Sequence, residues 1–160
     1  MTGTDPSYET FFRAEYPKMV ALALGVTGDR EVAAELAQEG LLRAFRAWGE
    51  VAGLERPGAW LRRVVTNLAI DERRRRSRRL PARADLGVAS VDPVEPEADD
   101  WLRAVRSLPD RQRAVIALHH VDGLPIAEVA EVLGIAPGTV KSSLDKARRK
   151  LARRLEGANR

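Results

Sequence analysis

Residues 123–155, GLPIAEVAEVLGIAPGTVKSSLDKARRKLARRL, constrain the fold more than any other stretch. Ile126, Val129, Ala130 and Leu133 recur at i, i+3, i+4 and i+7, the spacing of one buried helical face. Pro125 suits a first-turn position, where a missing N–H costs nothing. Gly134 follows the last apolar residue, as a left-handed stop should. Pro137 restarts a helix in which Val140, Leu144, Ala147 and Leu151 repeat at i, i+4, i+7 and i+11. At about 100° per residue the opposite face carries Ser142, Asp145, Lys146, Arg149 and Arg153. Two helices about a glycine turn, the second with a basic outer face, form a helix-turn-helix pattern. Gly138, Thr139, Lys141 and Ser142 would then reach base edges in a major groove, and the later arginines would meet phosphates. Spacing alone fits a solvated helical hairpin equally well. The charge does not: between 141 and 154 seven Lys/Arg residues accompany one acid, Asp145.

The rest of the chain is helical in pattern too. No strand-like alternation is sustained, so the expected fold is all-α: two small helical domains joined by a flexible linker, the C-terminal one containing the helix-turn-helix. Net charge is only +4, but basic residues cluster at 73–83 and 141–154 while acids cluster at 85–100, as for two contacts along one polyanion. The absence of cysteine excludes disulfides, thiol catalysis and cysteine metal sites. No apolar run approaches the roughly 20 residues of a membrane span and no signal peptide opens the chain, so a cytoplasmic protein is expected. A chain ending at Arg160 is expected to carry no regulatory extension domain.

A first helix is expected over about Ser7–Val26, with Phe11, Phe12, Met19, Val20, Ala23 and Leu24 as its apolar face and Pro17 breaking or kinking it. Asp29 caps a second helix, roughly 30–48, on which Glu31, Glu35, Gln38, Glu39, Leu42 and Phe45 share a stripe that is acidic first and apolar later. Such a stripe is a protein-binding surface or one more buried side of a bundle; patterning leaves both open. Residues 49–58 read as a loop. A third helix from about Ala59 buries Leu61, Val64, Val65 and Leu68 and turns Trp60, Arg63, Asn67 and Arg74 the other way, a set suited to stacking and phosphate contact with single-stranded DNA, although Trp60 also suits a core. Six arginines in RRRRSRR (73–79) exceed what a helix C-terminus needs. Residues 80–98, with three prolines and no period, read as a linker, long enough at about 3.3 Å per residue to span roughly 60 Å. A short helix over Asp99–Ser107 follows, then a helix over 111–121 capped by Asp110, whose Val115, Ile116 and Leu118 would pack on the helix-turn-helix. His119 and His120 diverge by about 100° on a helix and do not share a metal easily.

The helix-turn-helix stretch resembles the C-terminal motif of the extracytoplasmic function group (group 4) of bacterial sigma-70 factors. Glu128, Val129, Ala130, Leu133, Gly134, Gly138, Thr139, Val140, Lys141, Ser142, Leu144, Lys146 and Ala147 match; Pro125 stands where serine is usual and Ser143 where arginine often is. DREVAAELAQEGLLRAFRAW resembles the sigma helix that docks on the clamp helices of the polymerase β′ subunit, with Gln38 and Glu39 matching and Glu35 replacing aspartate. RPGAWLRRVVTNLAIDERRRR resembles the region that opens and reads the −10 element, with Pro57, Trp60, Leu61, Asn67, Asp71 and Arg74 at the family's spacings. LPDRQRAVIALHHVDGL resembles the lead-in to the C-terminal motif, Arg113 matching.

The resemblance covers about residues 7–155. It implies a sigma region 2 over 1–79, a linker over 80–98 and a sigma region 4 over 99–160. By it Glu31, Glu35, Gln38, Glu39, Leu42 and Phe45 would bind core RNA polymerase, with the β flap as a further contact. Glu50, Leu54, Arg56, Trp60, Arg63, Asn67, Asp71, Arg74, Arg75 and Arg76 would meet the −10 element, the loop near Glu50–Arg56 capturing a flipped base. Pro137, Gly138, Thr139, Lys141, Ser142, Ser143, Lys146 and Arg149 would meet the −35 element. Promoter DNA is implied as a ligand and an anti-sigma factor as a partner. No nucleophile–base pair, phosphate loop or metal cluster is visible, so no catalysis, cofactor or metal is expected. The alternatives are a helix-turn-helix regulator acting without being a polymerase subunit, and an interaction module that has lost DNA binding.

Overall fold

The computed structural model describes residues 3, 5–79 and 96–158, and among these there is no strand. Helix α1 (Pro6–Thr27) starts where Asp5 accepts the Ser7 N–H at 2.8 Å and Pro6 presets the first turn. It ends at Gly28, whose φ of 70° is left-handed and whose N–H reaches the Leu24 carbonyl at 2.8 Å. Pro17 does not break it. Pro17 and Arg13 are both exposed, so the Arg13 carbonyl that loses its N–H partner faces water. Helix α2 (Arg30–Arg46) is capped by Asp29, which accepts the Val32 N–H at 3.1 Å. The expected loop after it contains a helical turn, α3 (Trp48–Val51), and α4 (Pro57–Arg79) begins two residues earlier than expected.

These helices form the first module. Met19, Leu22, Leu41, Leu61 and Val65 are wholly buried where α1, α2 and α4 meet; each such side chain contributes about 1.5–3 kcal/mol. On α4, Leu61, Val65 and Ala69 carry the core, while Val64 and Leu68 are half-buried at its edge.

The second module holds α5 (Pro96–Arg106), α6 (Asp110–Ile116), α7 (Ile126–Leu133) and α8 (Pro137–Ala158). Residues 96–98, expected in the linker, are helical; 80–95 lie outside the described residues. Asp110 does not cap α6. It is the first helical residue behind Pro109, and its carboxylate is engaged elsewhere. The expected helix over 111–121 changes character midway: over Ala117–Val121 it widens into a π-turn, closed by the Asp122 N–H on the Ala117 carbonyl at 2.9 Å. Gly134 ends α7 with φ 66°, as its position required.

The two modules pack on each other. Their buried apolar residues form one continuous cluster, α1 touching α5, α6 and the π-turn and α4 touching α6 and α7. Gly25 of α1 lets the π-turn approach closely, since a Cβ built there would lie 3.0 Å from Ala117 Cβ. Polar side chains cross the same boundary. Arg62 (8% exposed) bonds Asp122 in a two-pronged pair, one bond 3.2 Å long, and also reaches Glu15 and the Gly58 carbonyl, each at 3.0 Å. Burial pushes the Arg62 guanidinium down, and Asp122 and then Glu15 more than offset it, leaving its pKa raised. Arg113 donates to the Val26 carbonyl and Arg106 to the Gly28 carbonyl, placing two cations on the C-terminus of α1. Burial lowers the Arg113 pKa to about 9, with Arg73 adding repulsion.

Candidate nucleic-acid and partner interfaces

The stripe on α2 becomes one wall of a groove of about 420 Å3. Glu35, Gln38, Glu39, Leu42 and Phe45 line it from α2, Tyr8 and Phe12 from α1. Leu42 is 40% exposed and Phe45 47%, so of the two readings left open by patterning, the bundle interior is excluded for these residues. Glu31 is exposed one turn before the groove and does not line it. Phe12, expected in the apolar face of α1, is exposed instead, stacked on Tyr16 with centroids 5.4 Å apart. Tyr8 was not anticipated. It buries its ring edge-on against Phe45 at 5.1 Å and donates its hydroxyl to the Leu41 carbonyl at 2.8 Å, tying the groove's walls together. Its signal was present as the i, i+4 pair of Tyr8 and Phe12.

On α4 the set expected to meet DNA divides into three. Arg63, Asn67 and Asp71 are exposed along one stripe, as are Glu50 and Leu54 in the preceding segment. Trp60 is half-buried, packed against the core cluster with part of its surface left accessible. The remaining cations already hold carboxylates. Arg56 pairs with Glu131 at 3.0 Å and Glu128 at 4.0 Å, Arg74 with Asp110 at 3.1 Å, Arg75 with Glu72 at 2.5 Å, and Arg76 with Asp29 at 3.0 Å and Glu72 at 3.3 Å. Arg73, not singled out from sequence, shares Asp110 and donates to the Leu108 carbonyl at 2.9 Å. The Arg75 hydrogen bond is the largest influence holding the Glu72 carboxyl below its ordinary pKa.

Helix α8 buries Val140, Leu144, Ala147 and Leu151, as the period required, and exposes Pro137, Gly138, Lys141, Ser142, Lys146 and Arg149; Thr139 is half-exposed. Ser143 is a correction. It is 7% exposed, on the inner face between Val140 and Ala147, and cannot meet DNA from there. Farther along, Lys146, Arg149, Lys150, Arg153 and Arg154 line a basic cleft of about 670 Å3 with Gln112 and Gly157. The buried Gln112 Oε1 has no protein donor. A second, apolar groove of about 490 Å3 runs between Trp101, Ile116, Val121, Leu151 and Leu155, with His120 and Arg148 at its edge. His119 bonds the Leu124 carbonyl through Nδ1 at 2.7 Å, while Arg148 donates to His120 Nε2 at 3.2 Å, so the two rings serve separate contacts.

The chain thus pairs an exposed apolar groove in one all-helical module with a basic helix-turn-helix in the other. Comparison with known proteins makes this specific. Residues 11–79 match the family described as Sigma-70 region 2, and residues 98–151 match Sigma-70, region 4. The chain is 32% identical over 164 aligned positions to the ECF RNA polymerase sigma factor SigM of Mycobacterium tuberculosis, spanning 97% of this chain and 80% of that one. It is 36% identical over 163 positions to SigL of the same organism, spanning 94% and 92%. In fold it resembles the sigma factor RpoE of Bartonella quintana, solved with the anti-sigma factor NepR, at a TM-score of 0.79, 23% identity and coverage of 95% and 98%. The chain belongs to the extracytoplasmic function sigma factors of the sigma-70 family and is an RNA polymerase sigma factor. Both modules match in order, which a helix-turn-helix regulator independent of polymerase does not account for.

Proposed function

We propose that this sigma factor, of group 4 within its family, binds core RNA polymerase through the Tyr8–Phe45 groove and reads a two-part promoter. The clamp helices of β′ occupy that groove, Glu35, Gln38 and Glu39 holding its polar rim and Leu42 and Phe45 its floor. The apolar groove beside Trp101 takes the β flap. Glu50, Leu54, Arg56, Trp60, Arg63, Asn67, Asp71, Arg74, Arg75 and Arg76 engage the −10 element, single strand stacking on or beside Trp60 while arginines meet phosphates. Pro137, Gly138, Thr139, Lys141, Ser142, Lys146 and Arg149 engage the −35 element in the major groove. The protein supplies recognition and strand separation and the polymerase supplies the chemistry; it works in the cytoplasm, where the template is. An anti-sigma factor, which its structural neighbour binds, is a further partner.

One observation carries this reading. The helix-turn-helix exposes Gly138, where a Cβ would meet nothing within 4 Å and where φ is not left-handed. The fold gives no reason for glycine there, whereas close approach to a base edge does. The test is transcription of fragmented genomic DNA by bacterial core polymerase with and without this protein. Defined transcripts that appear only on its addition, sharing two upstream elements, support the reading. An absence of transcripts together with no comigration with core rejects it.

A further inference from the structure

The aromatic rings of this chain are concentrated in one place. All three phenylalanines and both tyrosines stand with Trp48 in a single run of neighbouring rings. Tyr8 is its centre, with centroids 5.1 Å from Phe45 and 5.3 Å from Trp48. The partner groove uses Tyr8, Phe12 and Phe45 but not Trp48. Trp48 also stands outside the continuous apolar cluster, so the core does not account for it. Its indole is nevertheless held on three sides. Tyr8 meets it edge-on at 78°, Phe11 lies 5.0 Å away, and the Ser7 hydroxyl accepts the Trp48 Nε1–H at 3.0 Å while donating to Asp5 at 2.7 Å.

What Trp48 holds is α3. A four-residue helix does not fix its own direction, because one turn makes too few hydrogen bonds for the dihedrals it orders, and α3 has no side-chain cap. Its anchors are Trp48 and Val51, three residues apart and therefore on one face, Val51 being 2% exposed. Gly49 and Glu50 face solvent. Backbone bonds carry the anchored geometry onward: the Ala52 N–H donates to the Trp48 carbonyl at 2.9 Å, Gly53 to Glu50 at 3.2 Å and Leu54 to Val51 at 3.1 Å. Hydrogen bonding is thus continuous from the indole's own residue to Leu54, whose side chain is exposed.

We infer that Trp48 is a positioning residue for the −10 element: clamped by Tyr8, Phe11 and Ser7, it fixes the direction in which Glu50 and Leu54 are presented to the flipped base. This inference rests on the −10 role proposed above for Glu50, Leu54 and Arg56. The free energy lost in taking a base out of the stack must be offset by contacts in its pocket. A segment already ordered before the base arrives loses less entropy on closing around it. Tyr8 serves both sides of the arrangement. It supports Phe45 in the partner groove and Trp48 at the start of α3, so the groove and the base-capturing segment share one support.

The test uses holoenzyme formed with bacterial core polymerase, bound to promoter fragments in which each −10 nucleotide of the non-template strand is made abasic in turn. For the wild type, loss of the captured base is expected to raise Kd by about tenfold or more. Trp48→Leu keeps an apolar side chain but loses the ring contacts and the indole hydrogen bond. Its penalty at that position is expected to shrink to about twofold or less, while its affinity for core stays within about threefold of the wild type, because Trp48 does not line the groove. Trp48→Phe restores a ring between Tyr8 and Phe11 and should recover part of the penalty. A residue with a merely structural role would lower core and promoter binding together and leave the abasic penalty at its wild-type size; that result overturns the inference. A second arm covers a Trp48→Leu protein that fails to fold. Ser7→Ala, at an exposed position, removes the acceptor of the indole N–H and keeps the backbone bond by which Asp5 caps α1. It is expected to reduce the penalty by about twofold. An unchanged penalty in both Ser7→Ala and Trp48→Phe overturns the inference. A wild-type holoenzyme that is insensitive to base loss at every position instead rejects the −10 role of residues 50–56, and the inference with it.

Discussion

Gly40 of α2 lies so close to Val65 of α4 that a methyl group on it would come 2.5 Å from Val65 Cγ2. The α4 side chains Val65 and Leu61 pack there directly on the α2 backbone, at the back of the helix whose front lines the Tyr8–Phe45 groove. Gly40→Ala gains helix propensity but must push α2 and α4 apart. Overpacking is expected to dominate and to cost about 1–3 kcal/mol, read as a lower midpoint in urea denaturation with an unchanged slope.

Phe45 exposes about half its surface while its ring edge touches Tyr8. Phe45→Ala should therefore lower stability by no more than about 1.5 kcal/mol. Its effect on core polymerase should be larger in proportion, about tenfold or more in Kd, because exposed aromatics at the floor of a groove carry a disproportionate share of binding. Fluorescence titration with core, beside a denaturation curve, separates the two effects.

Gly138→Ala offers the opposite separation. Nothing crowds the site and φ is ordinary, so stability should hold or rise, by up to about 1 kcal/mol. Transcription from a promoter dependent on the −35 element should fall. A variant that is both more stable and fully active would remove the close-approach role of that glycine.

Arg149 and Arg153 line the basic cleft on α8. Replacing either with alanine should weaken promoter binding for all sequences alike and reduce the slope of log K against log salt by about 0.9 for each phosphate no longer neutralised. Holoenzyme binding measured from about 50 to about 300 mM salt checks this. A changed sequence preference with an unchanged slope would assign these arginines to base readout instead.

How much of this was legible in the sequence varied with the range of the interaction. The caps at Asp29 and Gly134 and the buried row of α8 follow from local spacing, and the chain adopts them; on α4 only Leu61 and Val65 of the expected row are wholly buried, with Ala69 in place of Val64 and Leu68. Ser143 shows where the resemblance misled, since it lies three residues after Val140 and four before Ala147, so helical period alone puts it inside. Pro17 stays within its helix because a proline disrupts a helix far less where the freed carbonyl faces water. The groove was half visible, because its α2 wall forms a continuous stripe while Tyr8 and Phe12 belong to a different helix. The contact between modules was not visible at all. Arg62 and Asp122 are 60 residues apart, and nothing local to either marks the other as its partner.

Asp29 both caps α2 and pairs with Arg76. Burial alone would raise its pKa, but the Val32 N–H and Arg76 more than reverse this and hold it below its ordinary value of 3.8. The folded state thus favours the charged form. That stabilisation is complete above the ordinary carboxylate range and is lost as pH falls through the lowered value. Asp29→Asn retains a capping acceptor and has no charge to lose. Its stability should be lower near neutrality and should fall less steeply than that of the wild type below about pH 4, as denaturation at a series of acidic pH values will register.

The π-turn at Ala117–Val121 amounts to one residue more than an α-helical path would use. The bulge absorbs that residue within the turn, so the backbone on either side keeps its helical course while the turn itself is widened. Deleting a single residue there would close the bulge and change the backbone path where Ala117 faces Gly25 of α1, without altering any residue that the proposed DNA surface uses. The coupling between the two halves of this protein is thus adjustable by the length of one turn, a kind of change that leaves both recognition surfaces intact.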